Sequence, residues 1–232
     1  QGVAPESMDE ATAALFPDGF EESELGLMPR GWQVGKVGDF AKQHKVSINP
    51  LQNPETLYEL FSLPAFDNQK MPVVELGSKI KSNKTSVPPD AVLLSKLNPH
   101  IPRIWLPVDV GPHAVCSTEF LVFVPESGAS KEFIYCTFTT PQFKELLSQL
   151  VTGTSNSHQR VKPDGVTSMK AIVPRRGVLK AFFDVTKPIH EQIGHNLVEA
   201  QTLATLRDTL LPRLISGQLR LPESMATMEE VL

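Results

Sequence analysis

Cysteine is scarce in this 232-residue chain, where only Cys116 and Cys136 occur. The N-terminus is acidic and has no basic-then-apolar leader. Two reduced thiols in a cytosolic protein are therefore expected, not a disulfide-stapled secreted domain. The cysteines and the six histidines show no ligand spacing, so no metal is expected. Long apolar runs are also missing. The longest clear one, Phe120-Leu121-Val122-Phe123-Val124, falls far short of the ~18 residues that span a bilayer, so no membrane partner is expected. There is no GxxxxGK(S/T) loop and no convincing glycine-rich cofactor loop, which leaves no expected cofactor. Nothing in the sequence brings His158 to either cysteine, so a Cys–His nucleophile is not expected either.

An overall excess of positive charge is absent too, since the net charge is −4. Its distribution matters more than the total. Residues 1–31 hold seven acids and one base, and residues 221–232 hold three acids and no base. The stretch between them carries 21 bases and 16 acids. Within 154–180, six bases (Arg160, Lys162, Lys170, Arg175, Arg176, Lys180) face Asp164 alone. Such a local basic face can bind phosphate despite an acidic total, although an ordinary solvated surface has the same composition.

What is present includes a polar stretch, Gly153-Thr154-Ser155-Asn156-Ser157-His158-Gln159-Arg160, set between Leu150-Val151 and Val161. Its hydroxyls, amides, imidazole and guanidinium are the groups that grip phosphates and read base edges. They could instead satisfy the loop's own backbone. A second polar cluster, Lys79, Lys81, Asn83 and Lys84, precedes a strand candidate. It reads as phosphate or base contact, or as a solvated loop.

Periodicity divides the chain. Residues 1–31, acidic and punctuated by Gly and Pro, read as a linker or arm with a short helix near Glu10–Leu15. A mixed α+β (α/β) globular domain with a twisted sheet is expected over 32–186. Its strand candidates are Leu57–Phe61, Ala91–Lys96, Arg103–Leu106, Glu119–Val124 and Met169–Val173. A helix is expected from Pro141 with Thr140 as N-cap, and its face of Phe143, Leu146, Leu147, Leu150 and Val151 reads as core. A long projecting helix follows over 187–217, with Pro188 in its first turn, and then a tail over 218–232. Ile189, Ile193, Ala200, Leu203, Leu210 and Leu214 follow a 4-3-4-3 spacing, with Asn196 and Arg207 filling the same stripe. That is a helix-pairing seam with polar interruptions, unless the helix folds back on its own domain. Pro212 should kink or end it, and Gly217 suits a C-terminal cap.

Five segments carry a family resemblance. They are Ser23-Glu24-Leu25-Gly26-Leu27-Met28-Pro29-Arg30-Gly31-Trp32, Leu93-Leu94-Ser95-Lys96-Leu97-Asn98-Pro99-His100-Ile101, Cys116-Ser117-Thr118-Glu119-Phe120, the Gly153–Val161 loop, and Thr209-Leu210-Leu211-Pro212-Arg213-Leu214-Ile215-Ser216-Gly217. In this order they resemble the specificity subunit of type I restriction-modification enzymes, with matches from about Ala14 to Arg220. Those subunits hold two target-recognition domains and two conserved spacer helices, whereas this chain has one of each. Ala14-Leu15-Phe16-Pro17-Asp18-Gly19-Phe20 resembles the linker after a first spacer helix. The C-terminal half of a longer subunit is therefore favoured over a natural half-subunit.

The resemblance implies a non-catalytic DNA-recognition module in a bacterial or archaeal cytoplasm. Double-stranded DNA would be read at Lys79, Lys81, Asn83, Lys84, Lys96, Asn98, His100, Thr154, Ser155, Asn156, His158, Gln159 and Arg160. The helix would set the spacing between half-sites and dock methyltransferase subunits, and through them restriction subunits. A homodimer through the helix is a further expectation. Asn98-Pro99-His100, Asn49-Pro50 and Asn53-Pro54 lack the second proline and the aromatic of an amino-methyltransferase motif and read as turns. The rival reading is a helical interaction module whose globular head does not touch DNA.

Overall fold

Short apolar runs bounded by turn residues build the two larger sheets of the computed structural model, which describes residues 8–152 and 159–219, while Lys170–Val173 pairs with Gln33–Lys36 in a separate two-stranded sheet. The first sheet runs in the order Ile104–Trp105, Val92–Ser95, Phe120–Pro125, Ala41–His44, all antiparallel. Successive side chains of a strand point to opposite faces, and both faces of this sheet are covered. Val92, Leu94, Leu121 and Phe123 pack with Ile134, Phe138, Phe143 and Leu147. Leu93, Phe120 and Val122 pack with Phe61, Ala65 and Trp105. Double burial explains why Val92–Ser95 reads as an unbroken buried run rather than an alternation.

The second sheet runs Ser47–Ile48, Lys84–Ser86, Ala114–Cys116, Leu57–Phe61, Val73–Leu76. Ala114–Cys116 lies parallel to Leu57–Phe61, and the other pairings are antiparallel. The sheets are tied where His44 Nε2 meets Ser86 Oγ at 2.7 Å.

Two helices cover the Phe123 face, Lys131–Thr139 and Pro141–Gln149. Ser130 Oγ accepts from Phe133 N–H, and Thr140 Oγ1 accepts from Phe143 N–H, so each helix starts on a hydroxyl cap. The expected Thr140–Pro141 start is thus observed, as are all five strand candidates: Leu57–Phe61 has the expected ends, and the ends of the others differ by at most one residue. The mixed α+β class with a long final helix is also as expected.

Two regions differ from expectation. Residues 20–29 are a hairpin, Phe20–Ser23 against Gly26–Pro29, turning at Gly26 with φ +93°. Met28 is buried, Glu24 pairs with Lys170, and Arg175 Nε donates to Gly31 O at 3.3 Å. The acidic segment is therefore tied down through a few long-range contacts. The long helix spans Arg176–Ile215, so Pro188 is internal and not in the first turn. The earlier start is explained by burial: Val178 and Leu179 are buried, and Phe182 meets Phe133 edge-on at 6.1 Å. That packing outweighs the donor missing at Pro188. The helix ends at Ile215, close after Pro212 as expected. It is capped at Gly217, φ +70°, where Gly217 N–H donates to Leu214 O and Leu219 N–H to Arg213 O. Contacts divide the chain into Gln1–Lys187 and Pro188–Leu232.

Candidate functional site

The turn after Val92–Ser95 organises the polar face. Lys96 N–H donates to Glu119 O, and Lys96 O accepts from Val161 N–H. Asn98 N–H donates to Gln159 O at 2.9 Å, and Leu97 pairs with Arg160. Segments 96–98, 119 and 159–161 are therefore one backbone ladder. Ser95 Oγ supports the turn by accepting from Leu97 N–H and donating to Leu97 O.

On this ladder Arg160 extends its guanidinium to Glu119. Nε donates to Oε2 and Nη2 to Oε1, both at 3.1 Å. The hydrogen bonds and charge of Glu119 raise the guanidinium's pKa further above the ordinary arginine value. Both side chains remain solvent-accessible, at 45% and 25%. Glu119 was not singled out in the sequence. The available signal was a lone acid opening a strand inside a motif otherwise polar and neutral.

Asn98 sits in the turn that the Asn98-Pro99 pair leads one to expect after the strand. Its φ is +50°, its O accepts from Ile101 N–H at 2.8 Å, and its Oδ1 is buried without a hydrogen-bond partner. A left-handed residue with a short polar side chain is a turn former. Asn98→Ala should cost less than about 1 kcal/mol of stability, because both residues carry the Cβ strain and asparagine tolerates the left-handed region only somewhat better. Asn98→Gly should match or exceed the wild type. Urea unfolding of both variants checks this, and equal losses would rule out strain as the reason for asparagine.

Lys84 opens the strand Lys84–Ser86, whose Thr85 pairs with Cys116. Partial burial lowers its ammonium's pKa from the usual lysine value, and Nζ donates to Ser82 O and Oγ at 3.0 and 2.6 Å. Lys79, Lys81, Asn83 and His100 are exposed. Among the described residues, no hydrogen bond or ion pair joins Lys79, Lys81 or Asn83 to the Arg160 ladder. Thr154, Ser155, Asn156 and His158 lie outside the described residues. Cys116 is buried, which pushes its thiol up to about 12 and makes it a poor nucleophile.

On the helix, Ile189, Ile193 and Leu203 are about half exposed, and Asn196, Ala200 and Arg207 are exposed. Asn196 Oδ1 accepts from Gln192 Nε2 at 2.8 Å, and Arg207 pairs with Asp208. Leu214 is half-buried. Leu210, in the same stripe, is buried at 7% exposure. No helix among the described residues is long and apolar enough to cross a membrane.

No protein-family model matches the chain. By sequence it is similar to the type I restriction enzyme MjaIX specificity subunit of Methanocaldococcus jannaschii, 27% identical over 118 residues, 50% of this chain and 26% of that protein. The HindI specificity subunit of Haemophilus influenzae is 26% identical over 96 residues, 41% of this chain and 21% of that protein. By fold it is similar to the HsdS subunit of Thermoanaerobacter tengcongensis, with TM-score 0.55 and 18% identity over 79% of this chain and 48% of that one. The type I restriction-modification S subunit of M. genitalium gives TM-score 0.53 and 14% identity over 80% and 46%. The chain thus spans about a quarter of the sequence relatives it matches and a little under half of the solved subunits.

Proposed function

We propose that this chain, a relative of the type I restriction specificity subunits with one recognition-type domain and one long helix, reads one half of a bipartite DNA target. It performs no chemistry itself. The observation that carries the reading is the rigid ladder that presents Arg160 on an accessible polar face, beside a stretch rich in hydroxyls and amides. Lysines such as Lys79, Lys81 and Lys96 engage phosphates, which gives affinity without sequence information. Arg160 suits the O6 and N7 acceptors of guanine, and Gln159, Asn156 or Asn83 suit adenine. Residues 32–186 form the reading domain. The helix over 187–217 sets half-site spacing and docks methyltransferase subunits, and through them restriction subunits, in a bacterial or archaeal cytoplasm.

A second reading has its own observation in its favour. The half-exposed Ile189, Ile193 and Leu203 would equally serve a helical interaction module. Salt separates the two. Affinity for duplex DNA should fall on a log–log plot with a slope of about −0.9 per phosphate engaged. Flat affinity would remove the DNA reading. Arg160→Ala should weaken binding of the preferred duplex by roughly 1–3 kcal/mol in the assembled enzyme, measured by fluorescence anisotropy. Unchanged binding with intact circular dichroism would remove Arg160 from the site.

A further inference from the structure

We infer that Lys70 and Arg103 form a second phosphate-contacting site, beside the backbone ladder of 96–98, 119 and 159–161, an assignment that rests on the DNA reading proposed above. Neither residue belongs to the polar stretch or to the Lys79–Lys84 cluster.

Strand register brings Arg103 to the ladder. Ser95 N–H donates to Arg103 O at 2.9 Å, which sets Arg103 opposite Ser95, and Ser95 lies opposite Phe120. Lys96 and Glu119, adjacent to these two in the chain, make the ladder's bond of Lys96 N–H to Glu119 O. Arg103 therefore enters the edge strand Ile104–Trp105 at the end of the first sheet where the ladder stands. Two strand spacings of ~4.8 Å put its backbone roughly 10 Å from that of Phe120.

The guanidinium of Arg103 turns to Asp67, the last residue of the helix Leu63–Asp67. Nε donates to Oδ1 at 2.8 Å and Nη2 to Oδ2 at 2.9 Å. Two parallel bonds fix the plane of the fork. Among the described residues no other hydrogen bond engages it. The side chain is only 16% exposed. Base edges lie on the floor of a groove and call for a projecting arm, whereas phosphates stand out from the duplex and can reach a recessed fork. Phosphate is therefore the ligand that fits Arg103.

The turn after Asp67 adds a second cation under strain. Gln69 and Lys70 have φ of +69° and +55°, and both are exposed. Consecutive left-handed positions suit asparagine and glycine, and other side chains there strain the backbone. Glycine at so exposed a site would relieve the strain with little packing lost, so stability does not account for the lysine. Strained residues that persist in this way mark functional positions. The Lys70 ammonium lies 5.1 Å from the centroid of the Phe66 ring, and Phe66 meets Trp105 edge-on at 5.7 Å. One short edge strand thus supports both cations, Arg103 through Asp67 and Lys70 through Trp105 and Phe66. Asp67 cancels the charge of Arg103, and Lys70 leaves the group net positive.

The test measures the affinity of the full chain for duplex DNA against salt concentration, in the wild type and two variants. Lys70→Gly removes one cation and the strain. Asp67→Asn combined with Arg103→Gln removes one cation and one anion, so the net charge is unchanged and only a lost contact can alter the salt dependence. Each variant should make the log–log slope shallower by about 0.9, and should weaken duplexes of every sequence by the same factor. The urea midpoint of Lys70→Gly should be equal to or above that of the wild type, which separates a lost contact from a damaged fold. Should the double variant fail to fold, Lys70→Gly decides alone. An unchanged slope in either folded variant overturns the inference and leaves the DNA reading standing. So does a loss confined to duplexes with one particular base pair, which would make the site a base contact. Wild-type affinity that does not respond to salt overturns the DNA reading itself.

Discussion

Phe138→Ala is expected to lower the unfolding free energy by about 3–5 kcal/mol, a large share of the ~5–15 kcal/mol that holds an ordinary domain folded. Phe138 is fully buried. Its ring meets Phe123 edge-on at 5.3 Å and stacks on Phe143 at 4.5 Å with 16° between the planes. It is therefore the point where the central strand of the first sheet and both covering helices meet. Truncation removes apolar burial and leaves a cavity, because the three elements are separately anchored by the strand ladder and by the Ser130 and Thr140 caps. Collapse into the space would break those anchors. The control is Phe20→Ala, a residue 66% exposed, which should change stability by less than about 0.5 kcal/mol. Urea midpoints with equal slopes read both. A loss below about 1 kcal/mol at Phe138 would mean that the helices do not pack on the sheet as described.

The elements that were legible in the sequence are those with local signals. The Thr140–Pro141 start carries its own chemistry, a hydroxyl acceptor and a preset φ, and needs no tertiary partner to be read. Phe120–Pro125 and Val92–Ser95 were legible because both faces are buried and their composition is nearly pure apolar. Ser47–Ile48, Lys84–Ser86 and Ala114–Cys116 are two or three residues long, too short for any period, and they exist because neighbouring strands complete their hydrogen bonds. The parallel pairing of Ala114–Cys116 with Leu57–Phe61 joins residues more than fifty positions apart and leaves no local trace. The helix start was hidden by a strong but misleading signal, since proline favours a first turn and Pro188 sits inside. Val178, Leu179, Phe182 and Phe183 held the better clue in their helical spacing. In the candidate site, Arg160 was legible as a base in a polar stretch. Asn98 was legible as a polar residue in a turn but not as a left-handed one. Glu119 was not legible, because its importance comes from the ladder that sets it opposite Arg160.

The replacement of Ile193 and Leu203 by aspartate should leave half-site binding intact and abolish the gain from joining two domains. The helix is 40 residues long, about 60 Å at 1.5 Å per residue. Its apolar stripe is half open at Ile189, Ile193 and Leu203. A single recognition domain binds a half-site with the energy of a few contacts. A second domain held at fixed separation makes the second contact intramolecular, which raises affinity by about 10²–10⁴-fold without any new interaction. The separation is fixed only if the helix pairs with another helix. An aspartate in the pairing seam would have to bury an unpaired charge, which that association cannot offset. On an exposed stripe the same aspartates cost little of the helix itself. The double variant should therefore keep its helical circular dichroism and its affinity for a duplex carrying one half-site. On a duplex with two correctly spaced half-sites, wild-type affinity should exceed that of the variant by about two to four orders of magnitude, and light scattering should show the variant unpaired. Equal affinity of wild type and variant for the two-site duplex, with both proteins paired, would remove this stripe from the assembly and leave Ile193 and Leu203 as ordinary exposed residues.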